Sequence, residues 1–294
     1  MELYLGGRRG RWLWAYGAIM GLMGCALPAS FGVERGLREL SQKGFVPVES
    51  SSQVKAWLKR HDATTGPGSP AILHVYLEGD GAAWWAQRLP PVDPTPRTSV
   101  ALPLALEDPH ASVAYLARPC QFLPASPRPV CPVQWWTGER WGEAAISLTH
   151  QALDRLRQDS GARELVLVGH SGGGTLALLA AARRPDVRCV VTIASPLDLQ
   201  AWTEGQGMSL LSGSLNPADL PVLAGSFQER HLQGDEDLVV PASSIGRYVG
   251  RVRPEHVLRV PMQGHSQGWV QRWRSAHRGS TPLATWLGGC MRPD

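Results

Sequence analysis

Gly169-His170-Ser171-Gly172-Gly173 sets a serine at the centre of a G-x-S-x-G pattern, between an apolar run and an Ala/Leu-rich stretch that begins at Thr175. A serine at such a strand-to-helix turn is held in a strained backbone conformation, so the residues two positions away must lack bulky side chains. Gly169 and Gly173 meet that need. The amide of Gly172 opens a helix whose dipole favours negative charge, which makes it one donor for an oxyanion. A phosphate loop is the competing reading, and it lacks both the lysine of G-x-x-x-x-G-K-[ST] and the G-x-G-x-x-G register.

A serine hydroxyl attacks poorly without a base, and the base needs an acid to orient it. Downstream, Gly234-Asp235-Glu236-Asp237-Leu-Val-Val-Pro241 and Pro261-Met-Gln-Gly-His265 each follow an apolar run, where open α/β sheets carry their chemistry. Spacing alone does not choose among the three acids, which taken singly read as a solvated turn. His265 is one of nine histidines. His170 occupies the variable position beside the serine, His231 precedes the acids, and His74 and His256 fall in predicted strands. A second oxyanion donor is expected where Leu77-Glu78-Gly79-Asp80-Gly81 ends a strand, through the amides of Asp80 and Gly81. The Asp80 carboxylate would repel an oxyanion, so its side chain is expected to point away and brace the loop.

These residues need a scaffold, and short apolar runs alternating with helical periodicity predict a mostly parallel sheet covered by helices on both faces. Strands are predicted over 71–77, 112–116, 164–168, 188–194, 227–232 and 256–260. Helices are predicted over 139–158 and 175–184, the second stopped by Pro185. Prolines make 93–106 and 119–132 loop-like, and 195–225 is a Gly/Ser/Pro-punctuated connection.

With 294 residues, 43% hydrophobic and 18% charged, the chain is a packed globule rather than a disordered segment, and 32 Gly and 24 Pro without a triplet period exclude collagen. The net charge is +4; Arg8, Arg9 and Arg11 less Glu2 account for +2 of it, so no basic surface for nucleic acid is indicated. Those arginines precede an apolar stretch from Trp12 to Gly24, the pattern of an export signal, with an uncleaved membrane anchor as the rival. Leu22-Met23-Gly24-Cys25 resembles a bacterial lipobox, which makes Cys25 a lipidated mature N-terminus. The organisation expected is a signal over 1–24, a linker over 25–44 and one domain over 45–294 with a lid-like insertion at 195–225. Of the four remaining cysteines, Cys120 and Cys131 bracket a Pro-rich loop and are the expected pair, and Cys189 in an apolar run reads as a buried thiol. No Cys/His spacing suggests a metal.

The order of strand, serine turn, acid loop and histidine loop resembles the α/β-hydrolase superfamily from Ala71 to Trp273. More closely, His74-Val-Tyr-Leu-Glu-Gly-Asp-Gly, Asp93-Pro-Thr-Pro-Arg97, Arg118-Pro-Cys-Gln121, Gly172-Gly-Gly-Thr-Leu-Ala-Leu and Ser214-Leu-Asn-Pro-Ala-Asp219 resemble largely uncharacterised bacterial lipoprotein hydrolases. The resemblance implies an α/β-hydrolase fold and a Ser171, His265, Asp237 triad, with Asp235 the rival acid. It strengthens both export to the cell envelope and the Cys120–Cys131 bridge. His170 stands where a tyrosine is usual, and Ser-Gln-Gly-Trp269 where some relatives carry cysteines. Trp84, Trp85, Trp135, Trp136, Trp202, Trp269 and Met208 lie in loops that could line an acyl pocket, although core packing explains most tryptophans. The expectation is a lipid-anchored serine hydrolase acting on a small acyl ester without cofactor or metal. Thioester or amide cleavage and a non-catalytic envelope scaffold are the alternatives.

Overall fold

The computed structural model describes residues 30–60, 72–81, 89–124, 130–221, 227–251, 254–279 and 281–291. The chain opens with helix α1 (Ser30–Gln42), followed by strands β1 (Val46–Ser51), β2 (Val54–Lys59) and β3 (Ile72–Leu77). Helix α2 (Ala101–Glu107), strand β4 (Val113–Leu116), helix α3 (Glu143–Ser160) and strand β5 (Glu164–His170) come next. Then follow α4 (Gly172–Ala181), β6 (Val187–Ile193), α5 (Leu199–Gly205), β7 (Gln228–Gly234), α6 (Gly246–Val249), β8 (Val257–Val260), α7 (Trp269–Arg278) and α8 (Pro282–Met291). The eight strands form one sheet in the order β1-β2-β4-β3-β5-β6-β7-β8. β1, β2 and β4 pair antiparallel, and every pairing from β4 through β8 is parallel.

Both faces of the central strands are buried, which is why β3 and β5 read as unbroken apolar runs. Alternation along β5 sends Leu165 and Leu167 into one core with Leu176 and Leu179 of α4, and Val166 and Val168 into the other with Trp273 of α7 and Leu287 of α8. Helix α3 ends at Gly161, whose φ of 70° suits a residue without a Cβ.

All six predicted strands are present within a few residues, as are both helices, and Ala71 alone of the strand ends lies outside the described residues. Five expectations need correction. Residues 30–42 of the proposed linker are helical, because Leu40 is buried and Gly36 packs on Leu102 of α2. The strands β1 and β2 were not expected, since their polar and lysine-bearing outer positions mask a half-buried alternation. Helix α2 occupies part of the loop-like 93–106 segment. Pro103 is its third residue, where the missing N–H has no intrahelical acceptor to lose, and the Ser99 hydroxyl accepts from Leu102 N at 3.0 Å. Cys189 is not a thiol: it is disulfide-bonded to Cys290, with Cα atoms 5.5 Å apart, which ties α8 to β6. His256, expected in a strand, sits in a 3-10 turn (Pro254–His256) just before β8.

The Cys189–Cys290 bond spans 101 residues, so replacing both cysteines by alanine is expected to lower stability by about 3–5 kcal/mol, read as a lower urea midpoint. An unchanged midpoint, or a non-reduced peptide map without this cross-link, would refute the pairing.

Candidate active site

Ser171 follows β5 and caps α4 with φ 53° and ψ −129°, a conformation that L residues rarely hold. The glycines explain how it is tolerated. A Cβ on Gly169 would collide with the backbone of Gly173 and Gly174, and one on Gly173 would meet the carbonyls of Leu77 and Glu78. Gly174, not singled out by sequence, abuts the Ser195 hydroxyl in the same way. Ser171 N donates to the Ile193 carbonyl at 2.8 Å, and the Ser171 carbonyl accepts from Gly174 N at 3.0 Å, so the turn is stitched to β6 and to its own helix.

The acid and histidine loops follow β7 and β8 at the same end of the sheet. His265 Nε2 lies 3.1 Å from Ser171 Oγ, and Nδ1 lies 2.8 Å from Asp237 Oδ2. With Nδ1–H donating to the carboxylate, Nε2 is left to accept from the serine. Asp237 is 3% exposed, and its other oxygen accepts from Val239 N at 2.9 Å and Val240 N at 2.8 Å. Three hydrogen bonds hold the carboxylate aimed at the imidazole. Asp235 is exposed and accepts from Gln263 N at 3.4 Å instead, so geometry separates the two acids that spacing could not. Glu236 is exposed as well. His74 and His231 are buried in their strands, bonded to Asp108 and to Thr192 respectively.

His170 proves to be more than a variable neighbour. Its Nε2–H donates to the His265 carbonyl at 2.8 Å, and Trp269 Nε1 donates to the same oxygen at 2.9 Å. The two donors fasten the histidine loop to the serine turn and to α7. Burial, together with the adjacent His265, pushes the His170 imidazole down from 6.5 to about 4. It is therefore neutral when His265 becomes charged, and adds no repulsion.

Gly79 and Asp80 sit against the serine turn: a Cβ on Gly79 would lie 3.5 Å from Ser171 Cβ and 3.2 Å from the His170 carbonyl. Gly81 has no room for a side chain beside the Pro94 carbonyl. The Asp80 carboxylate braces the loop as expected, bonding Arg118 Nη1 at 2.6 Å and Arg140 Nη1 at 3.4 Å. It does not point away, however; it packs on the α-carbon of Gly172, because the paired guanidiniums on the far side hold it there. Glu78 is buried and accepts from Gly79 N at 2.8 Å, Tyr115 Oη at 2.6 Å and Ser99 Oγ, and burial pushes its carboxyl up.

The Cys120–Cys131 bridge is present, with Cα atoms 5.9 Å apart. Trp202 and Trp269 are buried, the first with Nε1 donating to the Val239 carbonyl at 2.7 Å. Trp135 and Trp136 are half-buried and line a small cleft with Asp80, Gly81 and Arg118. The segment expected as lid-like begins inside the core: Ser195, Leu197 and Asp198 are buried, whereas the run from Glu204 to Leu210 is exposed. Cys25, Trp84, Trp85 and Gly225 lie outside the described residues. Among those residues no helix is long and apolar enough to cross a membrane, and no cluster of side chains could hold a metal ion.

A family model described as alpha/beta hydrolase fold matches residues 126–214. No curated protein matches the chain. Among solved structures it is similar to an α/β serine hydrolase without lid from Xanthomonas campestris (13% identity, TM-score 0.51, 83% of this chain and 93% of that one). It is also similar to an esterase from Pyrococcus furiosus (14%, 0.51, 84% and 90%) and a puromycin-hydrolysing peptidase from Mycobacterium tuberculosis (16%, 0.54, 81% and 37%). The chain has the α/β-hydrolase fold, and the fold supports hydrolase activity.

Because the His170 pKa is depressed on folding, the unfolded chain binds the extra proton first. Stability present above pH 6.5 is expected to fall by up to ~3 kcal/mol as the pH drops towards 4. In H170Q this part of the loss should vanish, and urea unfolding across that range checks it; equal slopes for both proteins would refute the assignment.

Proposed function

We propose that the protein is an exported, lipid-anchored serine hydrolase that cleaves a carboxylic ester by an acyl-enzyme mechanism. The observation that carries this reading is the chain of hydrogen bonds from Asp237 through His265 to Ser171, which itself sits on a strained turn. Ser171 Oγ attacks the acyl carbon as His265 Nε2 takes its proton; Asp237 steadies the imidazolium. The carbonyl oxygen, now negative, is received by the amides of Gly172 and Asp80, with Gly81 holding the loop. A donor of this kind contributes about 3–4 kcal/mol to the transition state. Collapse of the tetrahedral adduct expels the alcohol with the proton from His265, and water repeats the sequence to release the acid.

An ester is the preferred bond because the esterase is matched along 90% of its length, whereas the peptidase is matched along 37%. Thioester and amide cleavage would use the same residues, since pocket shape rather than the triad selects the leaving group. A scaffold without catalysis would have no use for an ordered base and acid behind a strained serine. Anchoring through Cys25 would place the domain close to the membrane of the bacterial envelope, with α1 starting at Ser30. A small acyl compound is the partner this site would take.

A fluorophosphonate probe is expected to label the wild type and not S171A, and D237N should lower kcat for a short-chain p-nitrophenyl ester about 10⁴-fold. A folded wild type that neither labels nor hydrolyses would favour the scaffold. Incorporation of labelled palmitate is expected to be lost in C25A; retention would refute the lipid anchor.

A further inference from the structure

The two candidate oxyanion amides belong to different segments, Gly172 to the serine turn and Asp80 to the loop after β3. Each has to be held to within about half an ångström for the pair to recognise one oxygen. We propose that Arg118, with Arg140 and Trp141, is a positioning clamp that fixes the separation of these two segments, a role that rests on the hydrolase reading above. The residues lie outside the triad, and sequence reasoning assigned them no role.

The contacts run to both segments. Arg118 and Arg140 grip the Asp80 carboxylate from one side, and the α-carbon of Gly172 meets it from the other. Trp141, fully buried, donates from Nε1 to the Gly172 carbonyl at 2.9 Å. The same ring lies beside both guanidinium groups, 5.9 Å from Arg118 Cζ and 5.5 Å from Arg140 Cζ. Arg118 Nη2 also donates to the Arg140 carbonyl, and Arg140 Nε donates to the Thr137 carbonyl at 2.7 Å, so neither arginine can swing away singly. On the loop side, Gln121 Nε2 donates to the Gly79 carbonyl at 3.1 Å while its Oε1 accepts from Arg118 N at 3.1 Å. That turn contains Cys120 and Phe122 at φ 71° and 58°, and the Cys120–Cys131 bridge closes it.

The chemistry of the cluster favours positioning over stability. Arg118 is 4% exposed and Arg140 5%, and taking such charges out of water is expensive, so apolar side chains of similar size would hold a loop at lower cost. What apolar packing does not supply is directional attachment: a guanidinium fork fixes a carboxylate in distance and angle together. The charge also has the correct sign. One carboxylate beside a forming oxyanion would oppose it, and two guanidiniums against that carboxylate offset its charge.

The test uses full-length chains in detergent, comparing wild type with R118Q and W141F, each verified as folded by near-UV circular dichroism. Five quantities are read: kcat, its pH midpoint and KM for a p-nitrophenyl ester, and inhibition by an alkyl trifluoromethyl ketone and by the carboxylate product. The ketone mimics the transition state: Ser171 Oγ bonds to its carbonyl carbon, the proton passes to His265 and the carbonyl oxygen becomes an oxyanion in the hole. The product carboxylate makes no such adduct. In R118Q, kcat is expected to fall ~10- to 100-fold with KM nearly unchanged, and ketone affinity should fall by the same factor. Carboxylate inhibition and the pH midpoint of kcat should stay in place. W141F, which keeps an aromatic ring but removes the N–H and part of the indole's volume, should show the same split more weakly, and it decides the matter if R118Q does not fold.

Folded variants with wild-type kcat and ketone affinity would overturn the clamp, as would equal losses for ketone, carboxylate and KM, which mean a generally disordered pocket. A wild type that neither labels with fluorophosphonate nor hydrolyses any ester overturns the hydrolase reading, and the clamp with it; an active wild type with unaltered variants overturns the clamp alone.

Discussion

The reversal of the chain at Ser171 is the constraint from which the rest of the site follows. A side chain at φ 53° is costly by about 1–3 kcal/mol, and only tightly packed surroundings keep it there. Those surroundings are β5 meeting α4 at a distance that Gly169, Gly173 and Gly174 permit and any Cβ would forbid. Because β3, β6, β7 and β8 are parallel neighbours of this crossing, their C-terminal loops are delivered to the same edge. The loop after β3 then presents Gly79 and Asp80, and the loops after β7 and β8 present Asp237 and His265.

Around the serine, the polar side chains are each matched by a partner. Asp237 accepts from two backbone amides and one imidazole. His170, close enough to repel a charged His265, is kept neutral by burial and spends its N–H on the His265 backbone. Asp80, which would repel an oxyanion if left alone, is matched by two arginines. Two potentially disruptive side chains, His170 and Asp80, are thereby turned into supports, each through a partner from a distant part of the chain.

The legible part of this protein is the part written in local pattern. Apolar-rich runs gave away β3 through β6, since a strand covered on both faces is largely apolar. Where local pattern was ambiguous, the reading failed for identifiable reasons. Prolines concealed α2, although Pro103 stands in the first turn, where it is harmless. The edge strand β1 and its neighbour β2 carry polar residues among their apolar ones and so lacked a continuous apolar signal. Cys189 looked like packing because its partner is 101 residues away, beyond any local cue.

Sequence by itself determined the serine turn, the order of nucleophile, acids and histidine, and the parallel sheet that carries them, because glycine spacing and apolar periodicity act over a few residues. Spacing narrowed the acid only to a cluster of three, from which the family resemblance pointed to Asp237 with Asp235 as rival. Tertiary structure decided that Asp237 turns inward while Asp235 faces solvent, that His170 holds the histidine loop, and that Arg118, Arg140 and Trp141 meet behind Asp80. Such choices depend on which side chains are buried together by strands and loops far apart in the chain, and burial is a property of the assembled fold, not of any single stretch of it.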